Sequence, residues 1–333
     1  MIAARTEASL WVWLGALSAA VCAAALGFGA GGWAAPWAAA SVDGDILWRI
    51  RLPRVLLGFV AGAALSASGM AFQALFRNSL ATPFTLGVSS GASLGAALYV
   101  IAGASGTLAG ISGHSLSAMA GAGAAIALVY ALTRCGGGFQ TSALLLAGVA
   151  VSFLFTSVIS ALQYLGDVTT AFRTGRWMMG GLEVVGYGVL QHALPLVIGG
   201  LALVLLVPAE LDLLLLGDDV AAARGVAVAR LKKQLFVAVS MMVGGVVAAC
   251  GPIGFVGLVV PHVGRRLVGA GHRRLAPFCI LAGGAFLVSC DTVARTAAAP
   301  AEIPVGIVTS LLGGPFFLAL LARGHGDRAG IEV

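Results

Sequence analysis

Between Val247 and Leu267 the chain is apolar almost throughout, yet Gly251, Pro252, Gly254, Gly257 and Pro261 interrupt it, and Arg265 and Arg266 close it. An unbroken run of this kind would be a lipid-facing helix. A broken one is tolerated at membrane depth only inside other protein or along a water-filled path, because lipid offers no partner to freed N–H and C=O groups. A polar island, Glu210 to Lys233, precedes the stretch, and a basic loop, Arg265 to Arg274, follows it. A broken helix between two water-facing segments predicts a polytopic transport protein.

Composition points the same way. Apolar residues make up 59% of the chain and charged ones 10%, against roughly a quarter charged in a soluble domain. Too few polar side chains remain to cover a soluble core. Glycine, at 48 of 333 residues, lets helices approach closely where packing holds them together. The length fits about ten spans of roughly 20 residues with short loops.

The first apolar run, Leu10 to Trp33, reads as a retained span and not a cleaved leader. In the second, Arg51 to Arg77, the residues Gly58, Gly62, Ser66 and Gly69 recur every three or four positions and put a small-residue seam on one helix face. Asp167 to Glu183, with Arg173, Arg176 and Trp177, suits a short interfacial helix. After Pro208 two short helices are expected, joined at Gly217. Asp218 and Asp219 then sit where acids favour a helix N-terminus, and Gly225 where a helix stops. The last span runs from Ile303 to Leu321.

The net charge of +6 does not imply a nucleic-acid partner, because it lies in short loops. The N-terminus, the loops at 77, 134, 224–233 and 265–274 and the tail hold thirteen of the nineteen basic residues. By the positive-inside rule that side is cytoplasmic. Both termini are then cytoplasmic and the number of spans even.

Several chemistries are excluded. The cysteines (Cys22, Cys135, Cys250, Cys279, Cys290) are scattered without a CxxC, so neither a disulfide framework nor a metal site is expected. Lys232 and Lys233 are the only lysines and neither follows a glycine-rich loop, so GxxxxGK[ST] is absent and the chain carries no P-loop for ATP. No HExxH, paired intramembrane carboxylates or Cys/His constellation suggests an enzyme, and His262, beside Pro261, reads as structural. Neither catalytic residues nor a cofactor are expected. An ion-gradient-driven secondary transporter is the alternative. It needs ionisable groups at mid-membrane, and Asp291 is its acidic candidate in a late apolar run.

Blocks in order along the chain resemble the FecCD family of ABC-transporter permeases. They are Arg51-Leu-Pro-Arg54; Arg77-Asn-Ser-Leu-Ala with Leu86-Gly-Val-Ser-Ser-Gly-Ala; Leu144-Leu-Leu-Ala-Gly-Val; Trp177-Met-Met-Gly-Gly; Leu215-Leu-Gly-Asp with Ala223-Arg-Gly; Gly251-Pro-Ile-Gly-Phe-Val-Gly-Leu-Val-Val-Pro-His262; and Glu302-Ile-Pro-Val-Gly-Ile-Val-Thr with Gly314-Pro-Phe-Phe317. Ser79, Thr82 and Gln140 depart from the family's usual residues.

The resemblance implies an all-α polytopic membrane protein of about ten transmembrane helices, with the type II ABC importer permease fold, as a single domain over 1–333 in the cell inner membrane. It implies import of an iron(III)-siderophore, haem or cobalamin by a permease homodimer. The implied partners are two cytoplasmic ATP-binding subunits and an extracytoplasmic substrate-binding protein. Residue by residue, it assigns ATPase coupling to the segment at about 209–233 through Leu216, Gly217, Asp218, Asp219, Arg224 and Gly225. It assigns a cytoplasmic gate to Asn78, Leu80, Thr141 and Ser142, and binding-protein docking to Arg51, Arg54 and Arg295.

Overall fold

The computed structural model describes residues 2–29, 32–33, 42–104, 106–108, 111–135 and 141–329. Helix α1 (Ile2–Gly27) is followed by a short α2 (Val42–Ile46) that runs through a π turn (Leu47–Arg51) into α3 (Leu52–Phe76). A 3-10 turn (Pro83–Leu86) leads to α4 (Val88–Ile101), then α5 (Gly113–Cys135), α6 (Thr141–Leu165), α7 (Val168–Met178) and α8 (Gly188–Leu205). The two short helices of the island are α9 (Pro208–Leu215) and α10 (Asp218–Ala223). The chain ends with α11 (Val228–Cys250), α12 (Val256–Val268), α13 (His272–Thr296) and α14 (Val305–Ala329). Strand is confined to two pairs of two residues each among the described residues.

Among the described residues, seven helices are long and apolar enough to cross a membrane: those spanning α1, α3, α5, α6, α8, α11 and α13. The expected ten spans also counted α4, α12 and the apolar part of α14. Of these, α4 is 14 residues and α12 is 13, each about 20 Å of helix against a hydrocarbon core of about 30 Å.

Helix α3 is the axis of the bundle, with 83% of its apolar window buried, and α11 follows at 72%. The small-residue seam does what its spacing implies. A Cβ on Gly62 would run into the Gly283 carbonyl of α13, and one on Gly69 into the backbone of Gly257 of α12. Gln73 adds a hydrogen bond across the second crossing, its Nε2 donating to Gly257 O at 3.1 Å. Seam residues therefore set how near α12 and α13 can lie to α3.

The broken stretch is broken where its glycines and proline fall. Helix α11 ends at Gly251 (φ +68°), and α12 starts after Phe255, a non-glycine residue in the left-handed region at φ +67°. The freed backbone is satisfied by protein, as membrane depth requires: Gly181 N–H donates to Cys250 O at 2.8 Å. A Cβ on Gly251 would clash with Trp177 O, one on Gly180 with Pro252 O, and one on Gly306 with Met179 O. Three blocks separated by about 50 residues or more in sequence, at 177–181, 250–254 and 304–306, thus meet backbone to backbone.

Candidate functional site

The polar segments collect at two ends of the bundle. At one end lie the island and the turn after α3. Helix α9 begins at Pro208, whose missing N–H costs nothing in a first turn, and stops one residue before Gly217. Gly217 (φ +123°) holds a backbone shape closed to other residues, and α10 opens directly on Asp218 and Asp219. Arg224 ends α10, and Gly225 follows in the left-handed region at φ +83°. The expected break, acidic start and glycine stop are all in place.

An ion pair and a carboxylate–histidine contact that sequence reasoning missed tie this island to the long helices. Asp218 Oδ2 accepts from Lys232 Nζ at 2.5 Å, and Lys232 on α11 is buried. Asp212 Oδ1 lies 2.6 Å from His272 Nδ1 and accepts from the His272 backbone N–H at 3.0 Å, so an α9 carboxylate caps the start of α13. His272 itself is fully buried. No local spacing could reveal these pairs, since the second joins residues 60 apart.

The expected gate residues Asn78 and Leu80 are exposed in the turn after α3, at the same end. Asn78 Oδ1 accepts from Leu80 N–H at 2.9 Å, which fixes the turn. Thr141 and Ser142 open α6; their side chains lie outside the described residues.

At the opposite end lie the three arginines to which the resemblance assigns docking; Arg54 and Arg295 are buried there, at 8% and 3% exposure. Arg54 Nε and Nη2 donate to Asp291, the Nη2–Oδ1 distance being 2.8 Å, and Nη1 donates to Glu302 Oε2 at 2.8 Å. Arg295 Nη2 donates to Ala25 O at 2.5 Å, and its Nε lies 3.7 Å from Asp291 Oδ2. Arg51 Nη1 donates to Leu26 O and Gly27 O at 2.9 and 3.0 Å. A guanidinium at a buried junction must find acceptors, and α13, the 302 loop and the last carbonyls of α1 supply them. The acidic residue of the secondary-transporter alternative, Asp291, is taken up in this cluster.

Nearby, α7 forms the expected amphipathic helix, started by Asp167, whose side chain accepts from Thr170 N–H. That hydrogen bond holds the Asp167 carboxyl below its ordinary pKa. Arg176 Nη2 donates to Glu183 Oε1 at 2.7 Å, and this bond raises the guanidinium's pKa.

A family model described as the FecCD transport family matches residues 11–323, nearly the whole of this architecture. The chain belongs to this family. Within FecCD it is 42% identical over 291 residues to the hemin transport system permease protein HmuU of Yersinia pestis, covering 86% of this chain and 87% of that protein. It is 43% identical over 282 residues to the cobalamin import system permease protein BtuC of Halobacterium salinarum, covering 83% and 73%. A solved structure described as an inward-facing conformation of a metal-chelate type ABC transporter superposes with a TM-score of 0.86 at 31% identity, over 95% of this chain and 99% of the other. The seven long apolar helices and FecCD membership together make this a multi-pass membrane protein.

Proposed function

We propose that this chain is the permease subunit of an ATP-binding-cassette importer whose cargo is a bulky metal chelate. The observation that carries the reading is the match of one FecCD unit across residues 11–323. Haem and cobalamin are the cargoes named for its relatives; an iron(III)-siderophore is a third member of the same class. A chain without a P-loop needs an ATPase, and the α9–α10 island is its best-formed seat. The positive-inside rule puts that end, and both termini, in the cytoplasm of a cell whose inner membrane holds the protein.

Two copies are expected to form the path. In support, α6 leaves Leu146, Phe153, Leu154 and Leu165 uncovered within one chain, and α14 leaves Leu311, Leu312 and Leu318. The gate of Asn78, Leu80, Thr141 and Ser142 closes the cytoplasmic end with short, mostly polar groups. A soluble binding protein docks at the other end. There Arg51 and the rim where Arg54 meets Glu302, whose side chain is 30% exposed, remain its charged contacts; Arg295 takes part by holding α1 in place.

The test is uptake into proteoliposomes containing the permease, its ATPase and its binding protein, with haem, cobalamin and a ferric siderophore offered separately. ATP-dependent accumulation of one of them is expected. Accumulation driven by an ion gradient without ATP would instead support the secondary transporter.

Replacing Gly225 by valine should uncouple the machine, because a β-branched residue at φ +83° is strained by about 1–2 kcal/mol and the stop of α10 is lost. ATP hydrolysis should continue while uptake falls; unchanged uptake would move the ATPase seat elsewhere. Cysteines at Thr141 in both copies should cross-link and block uptake. If they fail to cross-link in every nucleotide state, the gate is not at the start of α6.

A further inference from the structure

Arg77 occupies an unusual position. It ends α3 at φ 48°, ψ 37°, in the left-handed region. Its own N–H donates to Ala74 O at 3.2 Å and that of Asn78 to Gln73 O at 3.1 Å, the paired pattern of a helix stop that ordinarily selects glycine. A residue with a Cβ is disfavoured there, so its side chain has to be accounted for. The Arg77 guanidinium reaches Asp218 at the start of α10, with Nη2 3.7 Å from Oδ1. It also lies over Gly217, where a Cβ would stand 3.5 Å from Nη1. The next residue in the chain is Asn78, which shapes the gate turn.

Asp218 is held from the other side by Lys232, whose buried ammonium has this carboxylate as its ion-pair partner at 2.5 Å. The arrangement is asymmetric. The Lys232–Asp218 bond is short, and the lysine is desolvated. The Arg77–Asp218 contact is longer, and both side chains are about two-fifths exposed. At 3.7 Å it falls short of a hydrogen bond, and the Asp218 Oδ1 that faces Arg77 has no hydrogen-bond partner. The contact is suited to being made and broken as α10 moves.

We propose that Arg77 and Asp218 form the link through which movement of α10 reaches the gate turn. Asp218 is the fixed member on the island, and Arg77 is a positioning residue that carries its displacement to Asn78 and Leu80. This rests on the reading of α9–α10 as the ATPase seat, and the experiment separates the two.

The full transporter is assembled with its own ATPase subunits in proteoliposomes. Leu80→Cys, an exposed position, reports on the gate through its labelling rate with a membrane-impermeant maleimide, with and without ATP and vanadate. Val220→Cys, exposed on α10, reports on the seat by cross-linking to the ATPase. Arg77→Gly is the decisive variant, because glycine suits the left-handed turn and leaves Lys232 paired, so melting temperature should be unchanged or higher. A structural role alone would therefore predict an intact gate response. The link predicts that the nucleotide-dependent change in Leu80→Cys labelling falls about tenfold, within the usual range of coupling between sites. A full nucleotide response in Arg77→Gly, with the Val220→Cys cross-link intact, overturns the link and leaves the seat standing. Loss of that cross-link in the otherwise unaltered protein overturns the seat, and the link with it.

Discussion

Replacing Asp291 by leucine is expected to cost about 3–5 kcal/mol of stability, the usual result of removing one member of a buried ion pair. The size follows from what remains behind. Arg54, 8% exposed, loses the carboxylate to which it donates through Nε and Nη2, and Arg295, 3% exposed, loses its ion-pair partner. Glu302 alone then faces two buried guanidiniums. The measurement is the melting temperature of the detergent-purified protein by fluorescence-detected size exclusion. Combining Asp291→Leu with Arg54→Met should restore part of the loss, because the guanidinium stranded without its carboxylate is removed and a well-packed apolar pair can match a buried ionic one, while Arg295 keeps Ala25 O as an acceptor. A single variant that melts with the wild type would mean that water reaches the cluster. A double variant worse than the single would mean that the Arg54–Glu302 pair carries more of the stability than the pairing with Asp291.

The second large effect is expected from Gly69→Leu. Inserting methylenes into a packed core typically costs roughly 1–3 kcal/mol, and this site should reach or exceed that upper end. The atoms a Cβ would meet are the carbonyl, carbon and Cα of Gly257, which belong to the backbone of α12 and cannot rotate away. Helix α12 would have to move outward, breaking the Gln73–Gly257 hydrogen bond on the way. Gly123→Leu on α5 is the control, since nothing lies within 4 Å of a Cβ there. Loss of folded protein for Gly69→Leu, with normal yield for Gly123→Leu, is the expected outcome. Equal yields would place the close approach of α3 and α12 elsewhere.

Much of the architecture could be read from local pattern. The seam of Gly58, Gly62, Ser66 and Gly69 was visible because helix periodicity and small volume are both written in one segment. The stop at Gly225 and the acidic opening at Asp218 were visible because caps are local. Charges that find partners across the bundle were not. Arg54 meets Asp291 at a separation of 237 residues, and nothing near Arg54 announces it. Its position at an apolar helix start gives no sign of the acceptors that the fold provides. Asp212 and His272 were hidden for the same reason. Arg77 was counted among the loop charges, and only its backbone conformation marks it as something else.

The capping of α1 sets the order in which this protein can be completed. Its last carbonyls at Ala25, Leu26 and Gly27 receive Arg51 and Arg295, the second of them 270 residues later. A nascent chain therefore inserts its first helix long before one of that helix's partners exists. Helix α1 is thus secured in two steps, by Arg51 soon after it and by Arg295 only once α13 is made. The foot of α1 is therefore the place where an early helix of this chain is fastened to a late one, α13.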